Sequence, residues 1–124
     1  MDPRQSLGRA AEAEAARFLE QAGLRVVDRN VRVTEGEIDL VCREGPRWIF
    51  VEVKCRQARW GDAPSAAVSW PKRRRLVRLA QHYLKWKRIE NAPCRFDVVA
   101  VTQTEDGRFQ ICHIPAAFDA TGIA

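Results

Sequence analysis

The sequence predicts an α/β domain in which one mixed central sheet is flanked by helices, in the order α-β-β-β-α-β-β. Two segments place apolar residues at helical spacing, which predicts two helices. Three short segments that alternate apolar and polar residues follow the first helix, and a segment apolar on both faces follows the second helix. The chain has 124 residues, of which 46% are hydrophobic and 30% charged. These values are typical of one globular domain, which we assign to residues 1–124.

The first helix is predicted over residues 7–22, with Ser6 as its N-terminal cap and Gly23 as its stop signal. Small side chains dominate the apolar stripe, which comprises Leu7, Ala11, Ala15, Phe18 and Ala22. Glu12 and Glu14 lie on opposite flanks of this stripe, each about 80° from its centre at about 100° per residue. Either could point along the sheet toward the acidic strands that follow, or both could be ordinary surface glutamates. Periodicity does not separate them.

Three short strands are predicted to form an antiparallel meander after this helix. They cover residues 24–33 with a break near residues 28–30, a segment that begins at residue 36, and residues 47–56. The Glu-Gly-Pro-Arg sequence at residues 44–47 is a turn signal that indicates a hairpin between the last two strands. Ile38, Leu40 and Cys42 are expected to share one core-facing side of the middle strand.

The polar positions of this hairpin are charged. If the turn is symmetric, Asp39 lies opposite Glu52, at a Cβ separation of about 4.5–5.5 Å. In the same register Glu37 lies opposite Lys54. Two unit charges about 4 Å apart repel by about 4 kcal/mol at an effective dielectric of about 20, so a partly buried pair needs a cation, a proton or a salt bridge. Carboxylates suit Mg²⁺ or Mn²⁺, and a solvated hairpin face with cross-strand ion pairs is the alternative.

A second helix is predicted after a loop at residues 57–69, with Ser69 as its cap and Pro71 in its first turn. Its buried face is predicted to contain Leu76, Leu79, Ala80, Tyr83 and Leu84. The opposite face is basic, with Arg74, Arg78, Lys85 and Arg88 in one line. The cations expected to contact a phosphate backbone are Lys72, Arg73, Arg74, Arg78 and Lys85. A solvated charged face is the alternative, although the net charge of +5 also favours a polyanionic partner.

Aromatic and histidine side chains have two interpretations each. Trp60 and Trp70 bracket the loop, and they either stack on bases or pack the loop against the core. His82 and His113 have no nearby partner in sequence, and surface or core positions are expected for both rather than catalytic ones.

The last elements complete the sheet. Residues 94–101 predict a central strand, which a right-handed crossover places parallel to a strand of the meander. Asp106 and Gly107 form a hairpin signal, and residues 109–114 predict the last strand. No apolar run approaches the roughly 20 residues of a membrane span, and the first residues lead into a charged helix. The sequence therefore predicts a cytoplasmic protein with no membrane partner.

Several segments resemble the bacterial UPF0102 (YraN-like) family. They are Gly-Glu-Ile-Asp-Leu-Val at residues 36–41, Phe-Val-Glu-Val-Lys-x-Arg at residues 50–56, parts of both helices, and residues 95–101. That family is regarded as distantly similar to archaeal Holliday junction resolvases of the PD-(D/E)XK nuclease superfamily, so the resemblance implies a restriction-endonuclease-like fold. Ala11 and Ala66 depart from it, where a second glycine and a loop glutamate are usual.

The resemblance implies a Mg²⁺- or Mn²⁺-dependent endonuclease that hydrolyses phosphodiester bonds of DNA, including branched or structured DNA. It implies that Asp39, Glu52 and the Val53 carbonyl hold the metal. Lys54 would orient the attacking water or stabilise the transition state, and Glu12 rather than Glu14 would complete the acidic cluster. The remaining candidates are Glu37 as a salt-bridging residue, Arg56 and Asp97.

Two other functions stay open at this point. The first is a nucleic-acid-binding module that has the nuclease fold but no appreciable cleavage. The second is a non-enzymatic interaction domain whose acidic cluster is structural. Resolvase relatives are dimers, so a homodimer is compatible with the resemblance, although no residue of this sequence requires one.

Overall fold

The computed structural model describes residues 3–58 and 68–120. The elements are α1 (Pro3–Gln21), β1 (Arg25–Val33), β2 (Gly36–Glu44), β3 (Arg47–Gln57), α2 (Trp70–Trp86), β4 (Cys94–Gln103) and β5 (Phe109–Phe118). The strands form one five-stranded sheet in the order β1-β2-β3-β4-β5, in which the β3–β4 pair is parallel and the other pairs are antiparallel. The predicted mixed α/β fold is therefore confirmed. Trp60 and Ala66 lie outside the described residues.

Helix α1 begins earlier than predicted. It starts at Pro3 rather than at residue 7, so Ser6 lies inside the helix and is not its cap. Proline is well tolerated in a first helical turn because its missing N–H has no helical partner there. At the other end Gly23 adopts φ 98°, and the Leu24 amide donates to the Leu19 carbonyl at 3.0 Å. The predicted stop is confirmed, and it leaves Ala22 exposed.

The two helices cover opposite faces of the sheet. The core on the α1 side includes Ala11, Ala15, Leu19, Leu40, Cys42, Ile49, Val51, Val99 and Val101. The core on the α2 side includes Val41, Phe50, Leu76, Leu79, Tyr83, Phe96 and Val98. Strands β3 and β4 contribute to both cores, which explains their nearly continuous apolar sequence.

Strand β2 separates from β3 at Asp39. The two strands pair from Glu44–Arg47 to Leu40–Val51, which confirms the symmetric hairpin register, and the pairing ends one residue short of Asp39 and Glu52. Ile38 packs in the α2-side core, whereas Leu40 packs in the α1-side core. The expectation that these two residues share a face is therefore wrong, because the alternation of β2 is interrupted where the strands part.

Helix α2 starts at the predicted place, but its ends differ in detail. Ser69 occupies the N-cap position without a side-chain capping bond, and Pro71 lies in the first turn. The helix ends at Trp86, so Arg88 lies beyond it and does not extend the predicted basic line. Its buried residues are Leu76, Val77, Leu79, Ala80 and Tyr83, while Leu84 is half-buried. In the described part of the chain, neither helix is long and apolar enough to cross a membrane.

Candidate metal and nucleic-acid site

Three carboxylates from two elements meet at the end of the sheet where β2 leaves β3. Glu12 of α1 and Glu37 and Asp39 of β2 each offer one oxygen, and these oxygens lie within 4.8 Å of one another. Glu14 instead forms an ion pair with Arg17 at 2.8 Å. The structure therefore answers the question that helical periodicity left open, since it brings Glu12 and not Glu14 to the acidic strands.

Within this acidic cluster (Glu12, Glu37, Asp39), Asp39 is held by the backbone of the neighbouring strand. Its Oδ2 accepts a hydrogen bond from the Val53 amide at 2.8 Å, in place of the backbone pairing that ends one residue earlier. Burial and the nearby Glu52 carboxylate raise the pKa of Asp39 to about 7, and Glu12 and Glu37 add to the increase while the Val53 bond opposes it. An unfavourable concentration of negative charge is what a bound cation relieves.

Asn30 joins two of the carboxylates, a role that no sequence motif indicates. With its amide nitrogen facing the site, Asn30 donates to Glu37 Oε1 at 2.9 Å and to Glu12 Oε2 at 2.6 Å. Burial and Glu37 raise the pKa of Glu12, and the Asn30 bond opposes this shift. Asn30 has φ 49°, a left-handed conformation that asparagine tolerates better than most residues. The one feature of the sequence that could have indicated this role is the position of Asn30 in the predicted break of the first strand, near residues 28–30.

Glu52 lies beside this cluster and has a lysine partner from α2. It is only 8% exposed, and its Oε1 is 2.5 Å from Lys72 Nζ. Glu52, Lys54 and Lys72 line one cavity of about 300 Å³, together with Arg56. Burial and, next, the charge of Lys72 lower the pKa of Lys54. Lys72 was predicted to contact a phosphate backbone together with the other cations of α2. In the structure it contacts Glu52.

The other predicted cations of α2 divide into two groups. Arg73 donates from Nε to the Val68 carbonyl at 2.8 Å, and its guanidinium carbon lies 5.7 Å from the centre of the Phe118 ring. The Arg73 side chain therefore packs on the protein surface instead of extending into solvent. Arg74, Arg78 and Lys85 are exposed, as a phosphate-contacting face requires.

A second set of cations borders the acidic cluster itself. An open cleft of about 600 Å³ between α1 and the first two strands is lined by Arg9, Arg29 and Arg32 as well as by Glu12 and Glu37. Arg32 pairs with Glu37 across the β1–β2 ladder, with 3.4 Å between Nε and Oε2. Sequence reasoning missed these arginines, although Arg9 precedes Glu12 by one helical turn. The register of the β1–β2 hairpin was the missing information for Arg32.

Asp97 and the two histidines lie in other networks. Asp97 is 1% exposed and accepts hydrogen bonds from Arg95, His113 and the Ala116 amide. His82 lies 3.0 Å from Glu35 at the surface. The bonds of Asp97 indicate a structural role for this secondary candidate, since its carboxylate is already supplied with donors.

The donor set suits a hard divalent cation. Mg²⁺ binds oxygen ligands at about 2.0–2.1 Å, so opposite ligands of an octahedral ion are about 4.2 Å apart. The oxygens of Glu12, Glu37 and Asp39 all lie within 4.8 Å of one another, a limit slightly above this value. Val53 contributes its amide to Asp39, and a metal contact by its carbonyl stays a prediction.

The fold and the site define a class: a mixed α/β domain with carboxylates and a lysine gathered where two central strands part. The chain belongs to the family described as uncharacterised protein family UPF0102, whose model matches residues 11–101. The predicted family is confirmed.

UPF0102 proteins of three bacteria match most of this chain. The protein of Symbiobacterium thermophilum is 47% identical over 114 residues, which cover 92% of this chain and 97% of the relative. That of Syntrophotalea carbinolica is 42% identical over 119 residues, or 96% of each chain. That of Anaeromyxobacter dehalogenans is 47% identical over 122 residues, or 98% of this chain and 90% of the relative.

Proposed function

We propose that this chain is a Mg²⁺- or Mn²⁺-dependent endonuclease that hydrolyses phosphodiester bonds of DNA in the cytoplasm. The observation that carries this proposal is the acidic cluster at an arginine-lined cleft, in which Glu12 and Glu37 line the cleft and Asp39 is held by the Val53 amide. A cleft of this kind has a place for a divalent cation and, directly beside it, cations for the phosphate groups of a substrate.

Each site residue has a role in this proposal. Glu12, Glu37 and Asp39 hold the metal from one side, and Glu52 extends the ligand set toward β3. A divalent ion held there would supply a water molecule of lowered pKa and neutralise charge on the phosphate oxygens. Lys54 orients the attacking water or stabilises the charge that develops on the phosphate. Asn30 and the Val53 amide fix the carboxylates by hydrogen bonds, which limits their reorganisation during the reaction.

Two basic surfaces support a branched or structured substrate. Arg9, Arg29 and Arg32 line the cleft on the α1 side, whereas Arg74 and Arg78 lie on α2, which covers the opposite face of the sheet. A substrate with more than one arm can contact both surfaces at once. A nucleic-acid-binding module without appreciable cleavage is the second candidate function. The exposed cations of α2 support this function as much as they support the endonuclease.

A cleavage panel distinguishes the two functions. Linear, flapped and four-way DNA, with the corresponding RNA, are incubated with Mg²⁺ or Mn²⁺ and with the wild-type protein or Asp39→Asn. We expect metal-dependent cleavage of DNA by the wild type, reduced about a hundredfold or more in Asp39→Asn. Asp106→Asn, at an exposed turn, is the matched control and should retain activity. Binding without cleavage by the wild type would favour the module.

A further inference from the structure

Lys72 reaches a carboxylate that cannot remain without a cation. Glu52 is 8% exposed, and a carboxylate removed from water to this extent is costly unless a charge or several hydrogen bonds compensate it. Lys72 supplies that charge, with its Nζ 2.5 Å from Glu52 Oε1. The ion pair therefore explains how Glu52 is tolerated in the protein without a metal.

The position of Lys72 on α2 makes this contact specific. Four consecutive cations at residues 72–75 follow Trp70 and Pro71 in α2. The first three point in different directions: Lys72 into the site, Arg73 toward the Val68 carbonyl and Arg74 to solvent. The side chain of Lys72 is 34% exposed, so its long aliphatic chain borders water on one side. A lysine so placed can move its ammonium group without any change in the helix.

The cavity contains a second ammonium group. Lys54 lines the same cavity of about 300 Å³, beside Glu52 and Lys72. A divalent ion held by Glu52 and Asp39 would take over the neutralisation of Glu52 and repel both ammonium groups. Lys54 extends from the central strand β3 and Lys72 from α2, and the Lys72 side chain is 34% exposed, so it can turn toward solvent and away from the ion.

We propose that Lys72 is an exchangeable counter-ion: it pairs with Glu52 when no metal is bound, and after the metal displaces it, it contacts a non-bridging phosphate oxygen of the substrate. This inference rests on the proposed function, since it requires a metal at Asp39 and Glu52. It assigns Lys72 to the reaction site instead of the general basic face of α2. It also predicts that metal and Lys72 compete for Glu52.

Isothermal titration calorimetry with Mg²⁺ tests the competition. The wild-type protein is compared with Lys72→Met and with Lys85→Met, the same change at an exposed position of the same helix. We expect Lys72→Met to bind Mg²⁺ about fivefold more tightly, because no ammonium has to be displaced, and Lys85→Met to be unchanged. Without metal, Lys72→Met should melt at a lower temperature than the wild type, and it should gain more from added Mg²⁺. Lys72→Gln, with the same expectation, replaces Lys72→Met if the latter does not fold.

The contact with phosphate has a separate readout. Binding of a phosphorothioate duplex that resists cleavage is measured with and without Mg²⁺. Lys72→Met should bind the duplex about fivefold more weakly than the wild type in Mg²⁺ and equally well without Mg²⁺. Lys72→Arg, which keeps the positive charge, should restore the wild-type affinity in Mg²⁺. Equal loss in both conditions would overturn the exchange.

The outcomes separate this inference from the function on which it rests. If Mg²⁺ binds through Asp39 but Lys72→Met binds it with unchanged or lower affinity, the exchange is wrong and the metal site stands. If the wild type shows no Asp39-dependent binding of Mg²⁺, both are wrong.

Discussion

Asp97 is a buried carboxylate and Asp39 a half-buried one in the same sheet, and their surroundings differ completely. Asp97 on β4 accepts two hydrogen bonds from Arg95 at 2.8 and 2.9 Å, one from His113 at 2.7 Å and one from the Ala116 amide at 3.0 Å. Asp39 on β2 accepts one bond from the Val53 amide, and its pKa is raised by burial and by three other carboxylates. Asp97 therefore has a guanidinium partner, whereas the charged groups that shift the pKa of Asp39 are carboxylates.

This difference distinguishes a structural carboxylate from a site for a cation. The donors around Asp97 compensate its burial, and removal of that network would leave charged groups without partners. The carboxylates around Asp39 stay in unfavourable proximity, which natural proteins retain at functional sites. The arginines follow the same division: Arg95 is 17% exposed and bound to Asp97, whereas Arg32 beside Glu37 is 85% exposed.

Loss of the Asp97 carboxylate should have the largest effect on stability. Asp97→Ala leaves Arg95 and His113 without their buried acceptor, and we expect a loss of about 3–5 kcal/mol in the free energy of unfolding. Urea denaturation followed by circular dichroism measures this change. Asp106→Ala, in the exposed turn before β5, is the control. A loss below about 1 kcal/mol would show that the Asp97 network does not contribute substantially to the stability of the fold.

The two arginines should separate binding from stability. Arg95→Gln should destabilise the fold by about 1–3 kcal/mol without a selective effect on DNA. Arg32→Gln should leave stability within about 0.5 kcal/mol and weaken DNA binding, with the salt slope reduced by about 1. Fluorescence anisotropy over a series of salt concentrations measures the slope. An unchanged slope in Arg32→Gln would remove the cleft arginines from the binding surface.

The exposed cations of α2 provide a second test of binding. If about five phosphates are neutralised, the logarithm of the DNA association constant should fall with log salt at a slope of about −4 to −5. Arg74→Gln with Arg78→Gln should reduce the magnitude of this slope by about 2. The same anisotropy series measures it, with Gln81→Ala on the same exposed face as control. A slope unaffected by the double change would exclude this face.

Asp39→Asn should stabilise the protein in the absence of metal, with a defined pH dependence. The folded-state pKa of Asp39, about 7, exceeds its ordinary value of 3.8. The stability that its protonation provides is therefore fully present below about pH 4 and is lost as the pH rises through 7. We expect Asp39→Asn to exceed the wild type by about 1 kcal/mol at pH 8 and to match it near pH 4. Denaturation in EDTA at both pH values measures this, and a destabilised variant at pH 8 would contradict it.

Local sequence signals predicted the fold well because they act over short distances. The Gly-Pro turn determined the β2–β3 register, Gly23 ended α1, and Pro71 marked the start of α2. The N-terminus of α1 was missed, since Ser6 is a good cap residue but Pro3 also starts a helix well. Ser6 and Pro3 are both local signals for a helix start, and the sequence alone does not show which of them marks the first residue of α1.

The site was predicted only in part because its remaining members depend on three-dimensional placement. Asp39, Glu52 and Lys54 follow from one hairpin motif. Lys72 and Asn30 reach the carboxylates from α2 and β1, and no spacing rule connects those segments with the hairpin. Asp97 was singled out as an acidic residue in a buried strand, and only its contacts with Arg95 and His113 show that its charge is already compensated.

Titration with divalent metal is the most direct test of the proposed site at Asp39. Mg²⁺ and Mn²⁺ are titrated by calorimetry into the wild-type protein, Asp39→Asn and Asp106→Asn, at a pH of about 8 where Asp39 is mainly ionised. We expect saturable binding to the wild type and to Asp106→Asn, and a loss of binding in Asp39→Asn without loss of folded structure. Equal binding by all three proteins, or no binding by the wild type, would contradict it.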